Sequence, residues 1–166
     1  MPTDIRVVVD DLAFVEADAV LRPADASLQA LTPGMRRLDE QGGGRFAALC
    51  RVGMPLDAGA AVVTGGGDLV APFVLHLVLQ DPQTPASRDT IRRALTSAWQ
   101  RAAEWGLDRV AGPPIGVGPG QLSLEDSIAM LAQTIPRDHA DALSLTIVVE
   151  KEHERETAEA ILRSRP

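Results

Sequence analysis

Tyrosine is absent, cysteine occurs once, and aromatic residues make up only 3% of the 166 residues. Each shortage excludes something. A lone thiol, Cys50, permits no intramolecular disulfide, and no Cys/His pattern accompanies it to form a structural zinc site. A reducing compartment fits. Scarce rings leave few platforms for stacking bases, and a formal net charge of -7 with a pI near 4.9 supplies no broad basic face, which argues against general nucleic-acid binding. No apolar stretch is long and uninterrupted enough to cross a bilayer, and the opening Pro2-Thr3-Asp4-Ile5-Arg6 lacks the apolar core of a secretory leader. The expected setting is the cytoplasm, with no membrane, metal or cofactor. What remains is 45% hydrophobic and 23% charged, the make-up of one ordinary domain spanning 1–166.

Apolar runs and helical periodicities alternate along the chain. Ile5–Val9 and Ala17–Leu21 read as early strands joined through Asp10-Asp11. Pro33 opens a short helix that Gly42-Gly43-Gly44 stops, and Phe46–Val52 forms another. Ala60–Thr64 and Phe73–Leu79 are strands separated by the turn-forming Gly65-Gly66-Gly67-Asp68. Ile91, Leu95, Ala98, Trp99, Ala102 and Trp105 recur on one helical face, and Gly106 supplies the stop. Arg109–Ala111 is a short strand entering the glycine-rich run Ile115–Gly120, and a helix follows with Ser123 and Asp126 as a capping pair. Leu145–Val149 and Glu152–Arg163 complete the pattern as strand and helix. Such alternation predicts an α/β fold with a mixed sheet covered by helices on both faces, its ligands at the carboxyl ends of strands. Asp10-Asp11, Leu21–Ser27 and Ile115–Gly120 then share one crevice.

Several residues carry chemistry in more than one way. In Gly116-Val117-Gly118-Pro119-Gly120, missing Cβ atoms let a phosphate approach backbone N–H groups, and the same residues would equally make a plain strand-to-helix turn. An anion here is held by local geometry, because the global field is negative. Asp11 is either a two-oxygen acceptor for an amino group or a solvated turn residue. Asp25 either binds a hydroxyl or makes an Asx turn after Pro23-Ala24. His76 lies inside an apolar strand with no nucleophile elbow nearby and reads as a hydrogen-bonded core residue. Cys50, without a CxxC partner, reads as core too. The charged run Glu150–Glu156 is a solvated helix face with i,i+4 pairs rather than a metal site.

In order and spacing these segments resemble the macro domain family of ADP-ribose-binding modules over nearly the whole chain. Asp10-Asp11-Leu12-Ala13 followed by Asp18-Ala19-Val20-Leu21 is similar to the family's opening turn and strand. Ala60–Thr64, Asp68-Leu69 and Val74-Leu75-His76 resemble its central strands, and Ile115–Gly120 its phosphate loop. The resemblance implies a three-layer α/β/α sandwich with a central mixed sheet. It implies that ADP-ribose, or an ADP-ribosylated macromolecule, is the partner. The ligand-binding set it implies is Asp11 and Leu12 at adenine, Ile115, Gly116, Val117, Gly118, Pro119 and Gly120 at the diphosphate, and Arg22 with Asp25 beside the distal ribose.

The departures are equally specific. Arg22-Pro23-Ala24-Asp25 stands where the family has Asn-Ala-Ala-Asn, and Gln29-Ala30-Leu31-Thr32-Pro33 replaces its first glycine loop. Met35 falls where the hydrolytic branch carries an aspartate, and a thioether cannot activate water. Asp25 is then the only catalytic candidate. Val149, Glu150 and Lys151 occupy the position of the usual adenine-stacking aromatic, so stacking comes from elsewhere, with Phe14 the candidate ring, or is absent. Binding with weak or no hydrolysis is the leading expectation. The alternatives are an ADP-ribosyl hydrolase and a diverged fold that binds another nucleotide or a protein.

Overall fold

Valine-, leucine- and isoleucine-rich runs become strands and the periodic segments between them become helices. The computed structural model describes residues 4–137 and 143–164. The order is β1 (Asp4–Val9), a 3-10 turn (Leu12–Phe14), β2 (Ala19–Asp25), α1 (Pro33–Leu49), β3 (Ala61–Gly65), β4 (Phe73–Gln80), α2 (Arg88–Trp105), β5 (Arg109–Gly112), α3 (Leu124–Thr134), β6 (Ser144–Val149) and α4 (Glu152–Arg163). These strands form one six-stranded sheet ordered β1-β6-β5-β2-β4-β3. Among the described strands, only the β3–β4 pair is antiparallel. Helices cover both faces, so β4 and β6 are apolar along almost their whole length instead of alternating.

Successive side chains of a strand point to opposite faces, and this sorts the core into two layers. Leu21, Leu75, Leu77, Leu145 and Ile147 pack beneath α2, α3 and α4, against Ile91, Leu95, Trp99, Ile128, Leu131 and Ala158. Val20, Ala24, Val74, Val78 and Val148 face α1 and the 3-10 turn, meeting Met35, Leu38, Phe46 and Ala13. This is the three-layer α/β/α sandwich with a mixed sheet. No helix among the described residues is long and apolar enough to cross a membrane.

Helix ends follow local chemistry. Ser87 and Thr90 cap α2 reciprocally, and Gly106 ends it in the left-handed conformation at φ 66°. The two short helices expected on either side of Gly42-Gly43-Gly44 are one element, Pro33–Leu49, bent where Gly43 adopts φ 71° and ψ -168°. The glycines therefore redirect the helix rather than end it. β2 is longer than expected, running through Pro23 to Asp25. β5 pairs with it only at Ala19 and Val20, so the edge facing β5 is open at Pro23, where a missing N–H breaks no ladder.

Candidate functional site

Parallel strands bring their carboxyl ends to one edge of the sheet, and a cleft of about 560 Å³ opens there. Val9 of β1, Pro23 of β2, Leu79 of β4, Val148 and Val149 of β6 and the Pro113-Pro114 step after β5 form its floor. Helices that follow parallel strands begin at this same edge. Thr32, Gly34 and Met35 from the start of α1 and Leu124 from the start of α3 line the cleft, as do Glu150 and Glu154 around the start of α4. The helix starts are capped. Thr32 Oγ1 accepts from the Met35 N–H at 3.2 Å, Ser123 Oγ from Asp126 N–H at 3.0 Å, and Glu154 Oε1 from Lys151 N–H at 3.0 Å. Each of these ends contributes a partial positive charge to the cleft.

The glycine-rich turn closes one side. Gly116 and Gly118 have φ of 87° and 98°, which only glycine adopts without strain. The turn is held by Leu122 N–H donating to the Gly116 carbonyl at 3.1 Å, Gln121 N–H to Gly118 at 3.0 Å, and the Ser127 hydroxyl to Ile115 at 2.6 Å. Gly116, Val117 and Pro119 line the cleft, while the Ile115 side chain is buried in the core and anchors the turn from behind. On the opposite side stand Asp10, Asp11 and Leu12. Asp11 accepts from the Ala13 N–H through Oδ1 at 3.0 Å, capping the 3-10 turn, and the residue is exposed. Among the described residues, the charged groups lining the cleft are Asp10, Asp11, Glu150 and Glu154 against one cation, Arg37.

The Macro domain family model matches residues 35–131, more than half of the chain. The chain belongs to the macro domain family. An uncharacterized protein of Aeropyrum pernix is 32% identical over 134 residues, covering 74% of this chain and 65% of its own length. This macro domain thus spans just under two thirds of that relative. Among solved structures, a glycine-to-valine mutant of the Oceanobacillus iheyensis macrodomain with ADPR superposes with a TM-score of 0.76 at 20% identity, covering 95% of this chain and 90% of that one. The Trypanosoma brucei macrodomain in complex with ADP gives 0.82 at 17% identity, covering 96% and 69%.

Asp11, Leu12, Gly116, Val117 and Pro119 of the expected ligand-binding set come together in the cleft of this macro domain. Gly118 and Gly120 shape the turn without lining it. Arg22 and Asp25 are a correction, since both lie outside the cleft. Residue parity along β2 turns Pro23 into the cleft and Arg22 toward α1, where it is 1% exposed. Its Nε and Nη2 donate to Asp39 at 2.8 and 2.7 Å, Nη1 donates to His76 Nδ1 at 3.2 Å, and the guanidinium lies 5.5 Å from the Phe46 centroid. Asp25 makes the Asx turn, accepting from Ser27 and Gln29 N–H groups at 2.8 and 3.0 Å. Its role as catalytic candidate loses its geometric basis. Phe14 is exposed and also outside the cleft. Sequence reasoning missed Thr32, Gly34, Arg37 and Glu154. The cap-and-proline start at Thr32-Pro33 was the available signal, because helix starts in this topology face the ligand edge.

His76 is a fully buried core histidine stacked on Phe46 with 5.9 Å between centroids. Because Arg22 can only donate, Nδ1 accepts and Nε2 carries the proton, donating to Thr64 Oγ1 at 2.8 Å. Burial, and secondarily the Arg22 charge, lowers its pKa to about 3. The folded state therefore refuses a proton that the unfolded chain takes up below the ordinary histidine value of 6.5. Stability is intact above that pH and falls as pH drops toward 3, by about 1.4 kcal/mol per unit. Urea melts between about pH 6.5 and 5, above ordinary carboxylate titration, should show this slope, and His76→Asn should flatten it. An unchanged slope in the variant refutes the assignment. Burial likewise raises the Cys50 thiol, so at neutral pH it is no thiolate nucleophile.

Proposed function

We propose that the cleft binds ADP-ribose, free or attached to a macromolecule, and acts as a reader with little or no hydrolysis. The observation that carries this is the convergence of the α1 and α3 starts with the Gly116–Pro119 turn on one 560 Å³ cleft. Partial positive helix ends and the backbone of a turn that needs glycine suit a diphosphate in a site whose charged side chains are mostly acidic. Asp11 Oδ2 suits an exocyclic amino group of adenine. Two neighbouring folds, a macrodomain with ADPR and one in complex with ADP, support the same ligand class.

Neither position weighed for acid–base work supplies it. Met35 lines the cleft as a thioether, and Asp25 lies outside it with Oδ1 bound to its own turn. Calorimetric titration should give a Kd for ADP-ribose in the micromolar range, at least about tenfold tighter than for AMP, the difference being a second phosphate's contacts. No heat with ADP-ribose at millimolar concentration overturns the reading. Mono-ADP-ribosylated protein incubated with the domain should keep its modification, and loss of the modification would make it a hydrolase.

A further inference from the structure

Among the described residues lining the cleft, Arg37 is the one cation, and it is engaged with a carboxylate. Its Nη2 donates to Glu150 Oε1, joining the first turns of α1 to the end of β6 across 113 residues of sequence. The pair lies directly over Gly34. A Cβ built there would stand 3.8 Å from Arg37 Nη2 and 3.9 Å from Glu150 Oε1, so both charged groups occupy the space above a cleft-lining backbone position. Both are more than half exposed, at 59% and 66%. An ion pair this wet is weak and gives way readily to a better partner.

A guanidinium forms two parallel hydrogen bonds with phosphate oxygens, and a phosphate oxyanion held near two helix starts is such a partner. We propose that Arg37 is a specificity-determining residue for the phosphate groups of the ligand, and that Glu150 is its internal competitor. Binding of the diphosphate exchanges the Glu150 carboxylate for ligand oxygens on Arg37. The competition also sets selectivity, since a neutral nucleoside has nothing with which to displace Glu150. This deepens the ADP-ribose reading and rests on it for the identity of the natural ligand, though the exchange itself requires only a phosphate-bearing one.

The test is a calorimetric cycle with Arg37→Gln, Glu150→Gln and the double variant, each titrated with ADP-ribose, inorganic pyrophosphate and adenosine. Glu150→Gln should tighten ADP-ribose and pyrophosphate binding about two- to fivefold, the worth of one exposed ion pair. Arg37→Gln should weaken both about tenfold. Neither should move adenosine. In the Arg37→Gln background the gain from Glu150→Gln should vanish, which separates release of a bound guanidinium from simple removal of a negative charge. A gain that persists in that background, or no gain at all, overturns the exchange while leaving ADP-ribose binding standing. Pyrophosphate binding that follows this pattern, without ADP-ribose binding, sinks the ligand assignment alone. Binding of neither by the unsubstituted protein sinks both.

Discussion

Asp39→Ala is expected to lower the unfolding free energy by about 3–5 kcal/mol, the cost of removing one partner from a buried ion pair. Arg22 is 1% exposed and Asp39 32%, so loss of the carboxylate strands a guanidinium that water barely reaches. Both bonds of a bidentate pair go at once, at 2.8 and 2.7 Å, and the remaining contacts cannot replace them. His76 Nδ1 accepts only one proton, from Nη1, and the Phe46 face offers a cation–π contact worth far less than a carboxylate. Among the described residues, the Arg22 charge pairs with no second anion. The double variant Arg22→Met/Asp39→Leu should recover more than half of the loss, because well-packed apolar pairs of similar volume commonly match a buried ion pair. It should not recover all of it, since His76 then lacks its donor. Urea unfolding at about pH 7 reads all three proteins. A loss below about 1 kcal/mol for Asp39→Ala would mean that water solvates Arg22, and the burial argument fails.

Gly116→Ala should cost about 2–5 kcal/mol and weaken ADP-ribose binding at least about tenfold. Two terms add. Alanine at φ 87° carries a backbone penalty of about 1–2 kcal/mol. Its Cβ would also stand 2.7 Å from Ile91 Cδ1 and 2.9 Å from Leu122 Cδ1, inside a packed layer where Ile91 is wholly buried. Overpacking there adds about 1–3 kcal/mol and pushes the turn toward the cleft, displacing the backbone that faces the phosphates. Gly118→Ala is the control. At φ 98° it bears the same backbone penalty, but beyond its chain neighbours no atom of the described residues lies within 4 Å of its Cβ. Thermal melts should rank Gly116→Ala well below Gly118→Ala, by roughly 2–10 °C for a domain of this size. Equal losses would show that packing against Ile91 and Leu122 is not what holds the turn.

Most element positions were legible because they rest on local chemistry. The face of Ile91, Leu95, Ala98 and Trp99, the Gly106 stop and the Ser123 cap each act within a few residues, and α2 and α3 form where those signals stand. His76 was legible as core, since an unpaired histidine in an apolar run needs a partner once buried, and it has two. The orientation of Arg22 and Asp25 was not legible. Motif position says which residue comes next in line, whereas face is set by register. With a period of two, Pro23 in the cleft obliges Arg22 to point into the α1 layer.

By itself the sequence determined the alternation of strands and helices, the proline start of α1, the capped start of α3, and a glycine turn at Gly116–Gly120. Those features follow from backbone sterics and from hydrogen bonds between near neighbours. Only the tertiary structure decided that β6 inserts beside β1 and β5, and therefore that Glu150 meets Arg37 above Gly34. Only it decided that Arg22 answers to Asp39 rather than to a ligand. Such pairings join residues far apart in the chain. No local pattern encodes them, because they are fixed by which apolar faces the whole sheet must bury at once.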